Sequence, residues 1–178
     1  MPKQRILLVS ALFPPDIAVP APYLKELAAR LSKEYEVTIL TYGSHPETVA
    51  ATDIETVSKD QPAWWRILAF TLKLRRLAHA TDYILLNNGP ATELPAYLMG
   101  KKHRHKLYFL ITDHKVEYTG WRKRIHRAIS SQARKVLTIT PPLSRPEIHP
   151  YRTTDAAAHS EYELSWKKHL AFLAAKLI

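Results

Sequence analysis

Apolar residues along this chain fall into short continuous runs that alternate with longer stretches at helical spacing. Residues 5–12 form an apolar run closed by a Pro-Pro pair, which predicts a strand buried on both faces. Over residues 22–34, Leu24, Leu27, Ala28 and Leu31 recur at helical spacing behind Pro22, a residue suited to a first turn. Residues 35–42 (YEVTILTY) predict a second strand, closed by Gly43 and Ser44, and residues 53–58 a third. A long helix is predicted over 63–80, a strand over 82–86 and a turn at Asn87-Asn88-Gly89-Pro90. A helix over 92–102, a strand over 106–112, a helix over 121–133 and a strand over 135–140 follow. Strands that alternate with helices of this length require crossover connections. The expected fold is therefore a single α/β domain over residues 1–140. Its sheet should be mostly parallel, with about six strands flanked by helices and right-handed crossovers. Residues 141–160 are rich in proline, show little apolar periodicity and predict a linker. Residues 161–178 predict a last helix, with Trp166, Leu170, Leu173 and Leu177 on one stripe.

Composition narrows the function classes. The 178 residues are 46% hydrophobic and 24% charged, as in an ordinary globular protein. There is no cysteine, which excludes disulfides and thiolate metal sites. The basic start and its apolar run have a signal peptide as the alternative reading. Pro14, Pro15 and Asp16 interrupt that run without a small-x-small cleavage pattern, so a strand and a cytoplasmic protein are expected. Residues 64–74 are too short and too charged to span a bilayer.

Charge is concentrated. Residues 101–145 hold twelve Lys/Arg and two acids, so the whole net charge of +10 sits in one quarter of the chain. Such a field attracts anions, and Lys101, Lys102, Arg104, Arg122, Lys123, Arg124 and Arg127 are the candidate patch. A solvated basic surface and a peripheral site on the inner face of an anionic membrane are both open readings. Trp64 and Trp65, with Arg66, Lys73, Arg75 and Arg76, and Trp121 beside Arg122, would suit such a membrane site. A core role is favoured for these tryptophans, because the apolar residues of 63–80 spread around much of the helix. Nucleic-acid binding ranks low, since no recognition motif accompanies the charge.

Parallel sheets bind ligands beyond the carboxyl ends of their strands. That rule selects residues 13–22, 87–90, 113–117 and the segment from Pro141 onward. No G-x-G-x-x-G or G-x-x-x-x-G-K-[ST] occurs, so neither NAD nor ATP is expected and no cofactor is implied. No G-x-S-x-G occurs either. His103 and His105 lie among cations with no carboxylate nearby in sequence, so no metal site is expected there. His114 beside Asp113 is the candidate for acid–base work or for holding a substrate hydroxyl, with a surface turn pair as the alternative.

The opening ILLVSALFPPDIAVPAPYLKELAARLSKEYEVTILTYG resembles the start of family 4 glycosyltransferases. Their pattern is a strand, then Phe-Pro-Pro-Asp-Ile-Gly-Gly-Pro, then a helix of the type YxxELAxxLxxxHEVTVLT. The resemblance covers roughly the first forty residues. It implies the Rossmann-like, acceptor-side domain of a GT-B enzyme. Pro15, Asp16, Ala18, Val19, Asn87, Asn88, Asp113, His114 and Glu117 would then line an acceptor site. Asp113 and Glu117 fall where related sequences carry an Asp and a Trp-Glu pair. Residues 161–178 resemble the family's closing helix, which packs back on the first domain. The donor-binding domain expected before that helix is replaced by the linker. Ala18-Val19 stands where the family has Gly-Gly, and His114-Lys115 replaces its usual aromatics. The implied protein is inactive alone. It is either completed by a separate donor-binding subunit, or a binder of glycan or lipid-linked acceptor, or a relic serving as scaffold or regulator.

Overall fold

A computed structural model describes residues 3–16, 20–112, 118–138 and 156–177. The chain divides into two compact units, residues 1–139 and 140–178. In the first unit, six strands form one sheet: β1 (Arg5–Val9), β2 (Glu36–Tyr42), β3 (Thr52–Val57), β4 (Tyr83–Asn87), β5 (Leu107–Ile111) and β6 (Lys135–Thr138). Its helices are α1 (Pro20–Leu31), α2 (Ala63–Ala80), α3 (Pro90–Leu98) and α4 (Gly120–Gln132). The second unit is described as one helix, α5 (Ala156–Leu177).

The sheet order is β3-β2-β1-β4-β5-β6 and every pairing is parallel. This is the expected α/β, Rossmann-like fold. Alternation along the strands divides the core. Leu7, Val9, Leu40, Ile84, Leu86 and Phe109 share one face with Phe70 and Leu74 of α2, Ala96 of α3 and Ile129 of α4. Their strand neighbours Ile6, Leu8, Ile39, Leu85 and Leu110 are fully buried on the other face. Helix α1 contacts β2 and contributes nothing to the first cluster, which puts it on that second face. Strand order grows outward in both directions from β1 and β4, so crossovers of one hand deliver α1 to one side and α3 and α4 to the other.

Most element limits match the sequence pattern, and the differences have local causes. Strand β1 stops at Val9, three residues early. The Ser10 hydroxyl donates to Leu12 O at 2.7 Å and accepts from Leu12 N–H, a local turn that competes with the ladder. Helix α3 starts two residues early because Pro90 occupies its first position, and it ends before Gly100, whose φ of +93° suits only glycine. Helix α5 starts at Ala156, inside the expected linker, since an Ala-Ala-Ala run is a strong helix former. Residues 141–155, the rest of that linker, and residues 139–140 of the expected last strand lie outside the described residues.

Two expectations about side chains are corrected. Trp64, Trp65 and Trp121 are not core residues; they are 67%, 43% and 55% exposed. Helix α2 buries Phe70, Thr71, Leu74 and Ala78 fully, with Ala69 and Leu77 partly buried beside them, and leaves Trp64, Trp65, Leu68 and Leu72 exposed. Arg104, expected in the basic surface patch, is buried: its guanidinium lies over the Tyr97 ring and donates to Tyr97 O at 3.0 Å. The six other patch cations, Lys101, Lys102, Arg122, Lys123, Arg124 and Arg127, are exposed. Among the described residues no helix is long and apolar enough to cross a membrane.

His103 is buried beside His79, with ring centroids 4.4 Å apart. Burial first, then the charges of His79, Lys106, Lys102 and His105, lower its pKa from the ordinary 6.5. The folded state thus holds neutral imidazole where the unfolded chain would take up a proton below pH 6.5. Its contribution to stability is intact above that pH and is lost as pH falls toward the folded value. His103→Phe keeps the ring contact and removes the titration. The drop in melting temperature between pH about 7.5 and about 5 should be smaller in this variant than in the wild type.

Candidate functional site

Strand order reverses between β1 and β4, which pair directly with Val9 opposite Leu86. Their carboxyl ends are the switch point at which doubly wound sheets take ligands. The loops that follow β1 and β4 lie at this edge, as does Thr112 just beyond β5.

The loop after β1 is a tight, tied turn. The Pro14-Pro15 peptide bond is cis. Around it, Asp16 N–H donates to Phe13 O at 3.1 Å, and Phe13 N–H donates to Asp16 Oδ2 at 3.3 Å. Phe13 is buried and anchors the turn, while Pro15 stays exposed. The Asp16 carboxylate is not left open to a ligand: Lys59 Nζ lies 2.7 and 2.9 Å from its two oxygens. Ala18 and Val19, the positions that depart from the family's glycines, lie outside the described residues.

The loop after β4 forms the floor of the switch point. Asn87 and Asn88 are buried, and so is Thr112 at the end of β5. Thr112 Oγ1 donates to Asn87 Oδ1 at 2.5 Å, and Thr112 N–H donates to Asn88 Oδ1 at 3.0 Å. Both amide oxygens therefore join β4 to β5, and these asparagines shape the crevice rather than offer those oxygens to a ligand. Asp113, His114 and Glu117 follow directly but lie outside the described residues.

A cluster that the sequence pattern did not reveal sits beside this floor. Gly89, with φ of +143°, redirects the chain into α3. Glu93 in the first turn of that helix is only 1% exposed. Its Oε1 accepts from the N–H of Gly89, the residue that precedes the helix, at 2.9 Å. The Tyr118 hydroxyl donates to the same oxygen. His126 Nδ1 lies 3.2 Å from Oε2, and because an ionised carboxylate only accepts, that nitrogen carries the hydrogen. The His126 ring stacks on Tyr118 at 4.1 Å and meets the edge of Phe109 at 5.4 Å. Pro90, Leu94, Trp121, Arg122 and Ile125 join Glu93 and Tyr118 around a shallow crevice above the cluster. A Glu four residues behind a glycine turn was the one local signal. His126 is 33 residues away and carried none.

The arrangement defines a doubly wound α/β domain with a polar, well-tied switch point. Neither a family model nor a curated protein matches this chain.

Proposed function

We propose that this chain is an acceptor-side domain of the GT-B glycosyltransferase type, which turns over substrate only when a separate donor-binding subunit completes the cleft. The observation that carries the reading is a coincidence of place. The segment that resembles family 4 glycosyltransferases contains the Phe13–Asp16 turn, and this turn follows β1 at the β1/β4 switch point, where an open parallel sheet takes its ligand. Glycosyl transfer also needs charge stabilisation at the leaving phosphate. The carboxylates of Asp16 and Glu93 at this edge are engaged by Lys59 and by Tyr118 and His126. These two carboxylates are therefore tied up by neighbouring side chains, and the proposal assigns the sugar-nucleotide site to the partner.

The test is turnover of a panel of UDP- and GDP-sugars by the purified chain, alone and with a donor-binding domain encoded beside it. The expected result is no turnover alone and turnover on mixing. Turnover by the chain alone would remove the partner from the proposal. A stable complex without turnover would favour a scaffold or regulator, a reading that the Ala18-Val19 departure supports.

A further inference from the structure

Helices α2, α3 and α4 lie side by side over one face of the sheet. Their solvent sides carry large apolar residues. Trp64, Leu68 and Leu72 repeat every four residues along α2, and Leu72 is 57% exposed. Leu98 of α3 is 50% exposed, and Trp121 opens α4. Single exposed apolar residues are normal, but exposed large apolar residues on each of three adjacent helices are the pattern of an interaction surface.

The charge around that patch has one sign. Helix α2 contains Arg66, Lys73, Arg75 and Arg76 and no acid; α4 contains Arg122, Lys123, Arg124 and Arg127 and no acid. The single acid of α3, Glu93, is turned inward. Glu55 of β3 engages Lys73 and Arg76. Arg75 and the four cations of α4 form no ion pair among the described residues.

We propose that this three-helix face docks on an anionic lipid bilayer. Tryptophans favour the headgroup level, where an apolar body meets a wet edge, and long cationic side chains reach from an apolar surface to lipid phosphates. A second copy of the chain fits poorly, because a two-fold contact would set Arg against Arg. The inference stands independently of any donor-binding partner.

The experiment is co-sedimentation with vesicles of phosphatidylcholine alone or mixed with phosphatidylglycerol, together with tryptophan emission. The wild type is expected to bind the mixed vesicles about tenfold or more tightly than the neutral ones, with emission shifted to the blue. Added salt should weaken that binding. The pair Arg122→Glu and Arg124→Glu should lower affinity about tenfold or more. The pair Trp64→Ser and Leu72→Ser should lower it by a comparable factor and abolish most of the blue shift. Lys33→Glu, away from this face, should leave binding within about twofold, since a charge counts only near the lipid surface. All these side chains are exposed, so the core that holds the fold is untouched. Equal binding to neutral vesicles, equal binding by the Arg122/Arg124 variant, or an equal loss with Lys33→Glu would overturn the proposal. So would lipid-free self-association that the Trp64/Leu72 variant abolishes, which would assign the face to a second copy.

Discussion

Glu93→Ala is expected to destabilise the fold by about 3 kcal/mol, because it removes a buried carboxylate on which three partly buried donors converge. Gly89 N–H, the Tyr118 hydroxyl and His126 Nδ1 all converge on this one carboxylate. The alanine would also leave an empty space under the shallow crevice, which the ring stack of Tyr118 and His126 cannot fill without moving. For a domain of this size the loss corresponds to a fall in melting temperature of roughly 6–12 °C. Glu93→Gln separates the two parts of the effect. Its amide oxygen can still accept from Gly89 and Tyr118, and its amide nitrogen can donate to a deprotonated Nδ1. The cost should therefore be about 1 kcal/mol, a typical net value for one altered hydrogen bond. Thermal and urea unfolding of both variants provide the measurement. A Glu93→Ala protein within about 0.5 kcal/mol of wild type would mean that the convergence contributes nothing to stability. The consequence is local: Tyr118 precedes α4 and His126 lies within it, so loss of Glu93 should loosen the contact of α4 with the start of α3.

What could be read from the sequence depended on how far each signal reaches along the chain. The runs ILLV, VTIL and ILL announce strands by themselves, because a strand buried on both faces needs no distant information to look apolar. The sheet class followed from alternation with helices. The loops at the switch point followed from topology alone, so Asp16, Asn87 and Asn88 were placed correctly at that edge. Their actual bonds were not legible: Lys59 reaches Asp16 across 43 residues, and Thr112 reaches Asn87 across 25. The same limit hid the Glu93 cluster. Its components are an unremarkable Glu, Tyr and His until the fold folds α4 against α3. The misjudged tryptophans have another cause. The apolar residues of α2 surround the helix, and periodicity cannot say which of several apolar arcs meets the sheet. Arg104 shows the reverse case: a cation in a basic run reads as surface, while the ring of Tyr97 covers it.

That ambiguity in α2 leads to a prediction of similar size. Phe70→Ala is expected to cost about 3–5 kcal/mol, the range for truncating a fully buried aromatic. Phe70 is completely buried in the cluster between α2 and the sheet. Its ring stacks on Tyr42 with centroids 4.3 Å apart, which adds about 0.5–1.5 kcal/mol beyond area burial. Tyr42 in turn ends β2 and donates its hydroxyl to Ala91 O at 3.2 Å, so the stack ties α2 to the first turn of α3. Burial of that hydroxyl pushes the Tyr42 pKa up to about 12, against a lowering by the Arg66 charge. Two residues further along the same helix, Leu72→Ala should change stability by no more than about 0.5 kcal/mol, because that side chain is more than half exposed. The contrast tests the rotation of α2 about its own axis, which hydrophobicity alone left undetermined. Urea midpoints with an unchanged slope would give both values. If Leu72→Ala proved as costly as Phe70→Ala, the outward stripe of Trp64, Leu68 and Leu72 would be part of a core, and the face offered for lipid docking would not exist.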